Sequence, residues 1–261
     1  MEWNISRLLG DSQRDESIPL ALIILNQPLC PLKTFDRLWS RASLKLFADG
    51  GSNRVYDVLE IDNVRRKYVF ASLESDLALM TNVSRYLPDA IVGDLDSLRP
   101  DVRDWYAAEG VIAQKVQDQD STDFQKCLAL YEIVALGALS GRFDHVMHAI
   151  NVLHQSQVGR RLYLLSDEGV VFLLTPGKHV IICDPNIEGP TCGLLPIGIA
   201  VAKLTTTGLK WNLDPTMPTS FGGLVSTSNA FADESDGHEK VVTVDTDQPI
   251  VWTCEVRLPR R

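Results

Sequence analysis

The sequence predicts an α/β N-terminal domain with a mainly parallel sheet, followed by an all-β antiparallel sandwich domain. Two observations carry this reading. From residue 18 to about 160, short apolar runs alternate with helical stretches, the pattern of a parallel sheet with helices on its faces. Beyond about 160 the helical period disappears, and β-rich runs follow one another between turn signals such as SDEG, TPGK, LDPT and TDQP. The expected division is a loose polar tail over 1–17, an α/β domain over 18–160 and a β domain over 161–261.

Each element has its own signal. LALIILNQ (20–27) and LKLFADGG (44–51) read as buried strands, with FDRLWSRA (35–42) between them as a helix. The weakly periodic stretch 60–87 reads as an insertion. DAIVGD (89–94) is a third strand, DVRDWYAAEG (101–110) a helix ended by Gly110, and VIAQKV (111–116) a fourth strand. Phe124, Cys127, Leu128 and Tyr131 share a helical face, so a helix starts near Asp123. A further helix carries Phe143, Val146, Met147, Ile150 and Leu153 at helical spacing. In the β half the runs are RLYLLS, GVVFLL, KHVIICD, IAVAKLTTT, GGLVSTSN, KVVTVDT and PIVWTCEV.

Composition narrows the function. A net charge of −9 argues against broad nucleic-acid binding, which needs a basic face. It leaves room for one anionic nucleotide where a metal reverses the local sign. The 5 cysteines are scattered without a CxxC pair or a Cys/His cluster, which predicts free thiols in a reducing compartment. No signal-peptide pattern opens the chain, and no apolar run approaches the ~20 residues of a membrane span. The expectation is a cytoplasmic protein without membrane partners.

Residues able to do chemistry gather at the ends of the apolar runs. Asp94 and Asp96 follow one run a single residue apart, and side chains at i and i+2 of an extended chain point the same way. Carboxylates that close raise each other's pKa unless they share a cation or proton, and hard oxygen donors suit Mg²⁺ with substrate phosphates. The same pair also suits a plain polar turn. Asp118, Asp120 and Asp123 crowd the next strand end, where Ser121 or Thr122 suits a helix N-cap and Asp123 reads as a first-turn acid or a ligand. In GALSGRFD, Gly137 and Gly141 permit close backbone approach, and Arg142 suits phosphate oxygens. Arg54, after ADGGSN, is either a site residue or a solvated charge. Trp211, beside Asn212, is either a stacking plate for a flat cationic ring or a core or interface tryptophan.

Together these pieces resemble thiamine pyrophosphokinases of the eukaryotic type. The matching stretches are ILNQPL, ADGGSNRVYD, VGDLDSLRPDVR, DQDSTDFQKCL, GRFDHVMHAINVL, LLTPGKH, CGLLPIG, TTTGLKWNL, LVSTSN and VTVDTDQPIVWT, in the family's order. The resemblance implies an enzyme that moves the terminal diphosphate of ATP to the hydroxyl of thiamine, releasing AMP. It also implies a homodimer whose active sites lie between the α/β domain of one chain and the β domain of the other. By this resemblance Asp94, Asp96 and Asp123 hold Mg²⁺ and, with Arg142, form the catalytic set. Asp49, Gly50, Gly51, Asn53, Arg54, Ser97, Gln119, Thr122 and Asp144 contact ATP. Trp211, Asn212, Ser226, Ser228 and Asn229 face thiamine.

Three other functions compete. An aspartyl-nucleophile phosphatase needs Thr or Val where GDLDSL has Leu98. A related diphosphokinase acting on a pterin alcohol is closer, although TTTGLKWNL and STSN favour thiamine. The third is a thiamine- or nucleotide-binding protein with weakened catalysis, which the short segment 123–144 keeps open.

Overall fold

The chain's strands assemble into two sheets in a computed structural model that describes residues 1–10, 19–58, 86–115, 132–156, 161–232 and 238–257. β2 (Leu20–Ile24), β3 (Leu44–Ala48), β4 (Ala90–Gly93) and β5 (Ala113–Lys115) pair in parallel in that order. β6 (Glu132–Leu136) joins in parallel on the other side of β2. Parallel neighbours need crossovers, which here include helices α2 (Leu32–Arg41), α3 (51–58) and α4 (Pro100–Ala108). α5 (Phe143–Gln155) follows β6 and leads to β7 (Leu162–Leu165), parallel to β6. Strand β6 is buried along its whole length, as an inner parallel strand with both faces covered must be.

The β half begins where β8 (Gly169–Leu174) turns back antiparallel to β7. β14 (Ile250–Val256), β10 (Glu188–Leu195) and β12 (Ser226–Ala230) then extend the same sheet to 10 strands. Against it lies a 4-stranded sheet of β1 (Glu2–Trp3), β9 (Gly177–Cys183), β13 (Lys240–Thr246) and β11 (Leu204–Thr207). β13 alternates buried and more open residues, one face inward and one outward. Ile181, Val242, Val244 and Leu204 of this sheet share a core with Phe172, Cys192 and Trp252 of the larger one. The α/β half followed by a β-rich half is thus the architecture the sequence predicts.

Several expectations are corrected. Residues 1–10 are no loose tail. β1 pairs in parallel with β9, Trp3 stacks on Phe172 at 4.4 Å between ring centroids, and its Nε1 donates to His179 Nδ1 at 3.0 Å. Helix α1 (Ser6–Leu9) buries Leu8 and Leu9, and Arg7 reaches Glu132 of β6 at 2.6 Å. Each fully buried side chain of this size contributes about 1.5–3 kcal/mol, which holds a short polar-looking segment in place. The rest of the expected tail, 11–17, lies outside the described residues, as do 59–85 of the expected insertion and the helix expected near Asp123.

β10 is an inner strand that the sequence reading passed over, because EGPTCGLL lacks β-branched runs and carries glycine and proline. Gly193 is required there, since a Cβ would lie 2.5 Å from the Ser226 carbonyl oxygen on β12. The expected apolar face of α5 is also only partly used. Ile150 and Leu153 are buried, whereas Phe143 is 77% exposed and Met147 37%. Cys30, Cys183, Cys192 and Cys254 are free and buried.

Candidate active site

The parallel strands deliver their C-terminal ends to one edge. The chain runs from β2 outward to β5 and then returns to β6 on the opposite side of β2. Such a reversal of strand order opens a crevice where ligands bind in α/β folds. Asn26 and Gln27 lie just past β2, Asp49 past β3, Asp94 past β4 and the 137–141 turn past β6.

Register brings the acidic residues together. Ala48 of β3 stands beside Val92 of β4, and the Asp49 amide donates to the Val92 carbonyl at 3.0 Å. Asp94 and Asp96 do not converge by extended alternation as the sequence suggested. Leu95 between them adopts a left-handed conformation, φ 62°, which bulky side chains rarely use, and its side chain packs on the core. Asp49 is left-handed as well, φ 46°, a conformation that aspartate tolerates better. Carboxylate oxygens of Asp49, Asp94 and Asp96 then lie within 4.8 Å of one another.

Each carboxylate has a different environment. Asp49 Oδ2 accepts from the Ser97 amide at 3.2 Å, while Oδ1 is buried with no hydrogen-bond partner. Burial, and next the neighbouring Asp94, push the Asp49 carboxyl above its ordinary range, although the Ser97 amide opposes this. The Asp96 amide donates to Asp94 Oδ1 at 3.4 Å and holds Asp94 below the usual range. Ser97 Oγ donates to Asp96 Oδ1 at 3.1 Å. Among the described residues no lysine or arginine pairs with any of the three. Hard oxygen donors, unneutralised charge and an orphaned buried oxygen together fit a divalent cation such as Mg²⁺. Of the expected metal set, Asp123 lies outside the described residues, as do Gln119 and Thr122. Asp49, which the sequence reading had made a nucleotide contact, lies beside Asp94 and Asp96 in the cluster.

The flanking turns are built around that cluster. A Cβ on Gly50 would lie 2.4 Å from Asn26 Nδ2, and one on Gly51 2.2 Å from the Ile24 carbonyl oxygen, so α3 starts hard against β2. Asn53 ties the acidic loop down, donating to the Ser97 carbonyl at 2.8 Å and accepting from the Arg99 amide at 3.2 Å. Arg54 is exposed, and its Nε donates to Asn26 Oδ1 at 2.9 Å. Arg142 precedes α5 and forms a two-pronged pair with Asp144, at 3.1 and 2.5 Å. This pairing raises the arginine and lowers the carboxyl. No ion pair among the described residues joins Arg142 to the acidic cluster. Asn26 and Gln27, in the ILNQPL stretch at a strand end, had no role in the sequence reading, yet Asn26 lies against Gly50 and Gln27 against Gly137 and Gly141.

On the β half, Trp211 is 56% exposed, which excludes the core reading. Lys210 Nζ lies 4.9 Å from the ring centroid, over one face. Buried Asn229 grips the Trp211 backbone, accepting from its amide at 3.2 Å and donating to its carbonyl at 2.7 Å. The Asn229 amide also reaches Ser226 Oγ at 3.3 Å. Asn212 Oδ1 accepts from the Leu209 amide at 3.1 Å and so shapes the loop beneath the tryptophan. Ser228 is exposed. The five residues expected to face thiamine therefore form one neighbourhood, in which Asn212 and Asn229 spend their amides on the loop itself.

Comparison with known proteins bears on both halves. The family model for the thiamin pyrophosphokinase catalytic domain matches residues 35–164, and that for the thiamin pyrophosphokinase vitamin B1 binding domain matches 178–251. The chain belongs to the thiamine pyrophosphokinase family. Thiamine pyrophosphokinase 3 of Oryza sativa subsp. japonica is 44% identical, covering 91% of this chain and 87% of its own. Thiamine pyrophosphokinase 1 of Arabidopsis thaliana is 40% identical, covering 97% and 92%. Among solved structures, yeast thiamin pyrophosphokinase aligns at a TM-score of 0.75 and 27% identity, covering 98% of this chain and 90% of that one. The catalytic-domain match of this thiamine pyrophosphokinase ends within β7, and the vitamin B1-binding match begins within β9.

Proposed function

We propose that the thiamine diphosphokinase activity of this chain transfers the diphosphate of ATP to the thiamine hydroxyl at the Asp49–Asp94–Asp96 cluster, with Mg²⁺ held there. The observation that carries this is the approach of the three carboxylates within 4.8 Å. Asp123 joins them in this reading. Bound Mg²⁺ offsets repulsion between carboxylates and phosphates and stabilises charge at the attacked phosphorus. Transfers of this kind ask the protein mainly for positioning and charge. Asp94, held ionised by the Asp96 amide, serves as a permanent anion for the cation. Asn53 and Ser97 fix the acidic loop, while Arg54 and Arg142 meet ATP phosphates, with Asp144 holding Arg142 between turnovers. Gly50 and Gly51 let the backbone approach the nucleotide, with Gln119 and Thr122 completing its contacts.

Thiamine stacks on the Trp211 face opposite Lys210, beside Ser226 and Ser228, with Asn212 and Asn229 setting the ring's position. Stacking of a cationic ring on tryptophan is worth about 0.5–2 kcal/mol. Both halves are needed for one site, and we assign them to different chains of a two-fold homodimer. Exposed apolar side chains on each half, Phe143 at 77% and Phe221 at 66%, support a covered face. A cytoplasmic location completes the proposal, supported by buried free thiols and by the absence, among the described residues, of any helix long and apolar enough to cross a membrane.

The test is thiamine plus Mg-ATP with all nucleotide and thiamine products quantified. AMP and thiamine diphosphate in equal amounts are expected. ADP with thiamine monophosphate, or turnover of a pterin alcohol in place of thiamine, overturns the assignment.

A further inference from the structure

We propose that Asn26 and Gln27, the two residues just past β2, are positioning residues that brace the turns on either side of that strand. The proposal rests on the reading of Arg54 and Arg142 as phosphate contacts. The backbone here is tightly set: the Leu25 amide donates to the Leu136 carbonyl at 3.0 Å, and the Gln27 amide turns back to the Leu25 carbonyl at 2.8 Å. This is the point where the strand order reverses and a crevice opens.

Asn26 serves the β3 side. Its Oδ1 accepts from Arg54 Nε at 2.9 Å, and its Nδ2 lies against Gly50, where a Cβ would stand 2.4 Å away. The glycine leaves room for the amide and fixes where it lies. A guanidinium anchored through Nε keeps both Nη groups for a planar, two-pronged contact with a phosphate. A hydrogen bond to an exposed arginine adds little to stability, so its consequence is the direction of the guanidinium.

Gln27 serves the β6 side. A Cβ on Gly137 would lie 2.8 Å from Gln27 Cβ, and one on Gly141 2.2 Å from Gln27 Oε1. Both glycines are left-handed, at φ 83° and 81°, so the turn is moulded on the glutamine. Arg142 is the next residue, and α5 starts from it. One dipeptide therefore sets both arginine-bearing turns.

The experiment is a pair of double-mutant cycles on the full chain: Asn26→Ala with Arg54→Ala, and Gln27→Ala with Arg142→Ala. Readouts are ATP KM, thiamine KM, binding of a non-hydrolysable ATP analogue with Mg²⁺, and melting temperature. Each amide variant is expected to raise ATP KM and the analogue Kd about tenfold, as for modest misplacement of a binding group, with thiamine KM unchanged. In the matching arginine-to-alanine background, the amide variant is expected to add nothing. Asn26→Leu, similar in shape but without the acceptor, replaces Asn26→Ala should that variant not fold. Additive effects, or a lower melting temperature with unchanged ATP binding, overturn the proposal. Unchanged ATP binding in Arg54→Ala and Arg142→Ala alone would instead remove the phosphate reading on which it rests.

Discussion

Asn229 holds Trp211 from both sides of its backbone, accepting at 3.2 Å and donating at 2.7 Å, while the indole itself stays 56% exposed. A ring presented this way is available to a ligand. Trp211→Ala is expected to raise thiamine KM by roughly 2- to 30-fold, the equivalent of 0.5–2 kcal/mol, with ATP KM and melting temperature little changed. Asn229→Ala leaves the indole in place but frees its loop, and is expected to raise thiamine KM with some loss of stability. A large fall in melting temperature for Trp211→Ala at constant thiamine KM would refute the stacking role.

Glu188 gives a pH signature unrelated to catalysis. Burial pushes its carboxyl up to about 7, against the hydrogen bond that Ser6 donates to it. The folded pKa thus exceeds the ordinary 4.5, and between these values the folded state holds a proton that the unfolded state has lost. Its contribution is full below pH 4.5 and falls away as pH rises through about 7, by about 3 kcal/mol in all. Glu188→Gln mimics the protonated form. The wild-type melting temperature should fall relative to this variant between pH 5 and 8, and parallel curves would contradict the assignment.

The shared-site proposal predicts complementation. Asp96→Asn breaks the α/β side of the site, and Trp211→Ala with Ser228→Ala weakens thiamine binding on the β side, so activity is measured at thiamine far below the raised KM, where that parent is nearly silent. In a mixed dimer one site carries both defects and the other none. Half the dimers in an equal, freely exchanging mixture are mixed, so activity should recover to about one quarter of wild type. No recovery after demonstrated exchange would place each site within one chain.

Much of this was legible because local chemistry and fold agree. LALIILNQ and LKLFADGG are short apolar runs that end in turn residues, and they form β2 and β3 of the parallel sheet, while the β-rich runs that follow the α/β half build the antiparallel strands. Trp3, Ile5, Leu8 and Leu9 were illegible because a ten-residue window is too short to show a period, and only the docking of β1 on β9 and of α1 on α2 reveals their partners. Strand β10 was hidden by glycines whose purpose is the close approach of β12. Asp49 is distant from Asp94 in sequence, and only the register of β3 on β4 makes them neighbours. Conversely, the i, i+2 argument reached the right pair for the wrong reason, since the turn at Leu95 brings them together.

The central claim is that the three carboxylates form one cation site serving diphosphate transfer. The direct measurement is the Mg²⁺ dependence of thiamine diphosphate formation in wild type, Asp96→Asn and Asp49→Asn. Asparagine tolerates the left-handed backbone at position 49, so that variant removes charge without adding strain. Both variants are expected to melt within a few degrees of wild type, to require far more Mg²⁺, and to lose at least about a hundredfold in turnover at limiting metal. Near-normal turnover by either variant at limiting Mg²⁺ would contradict the account.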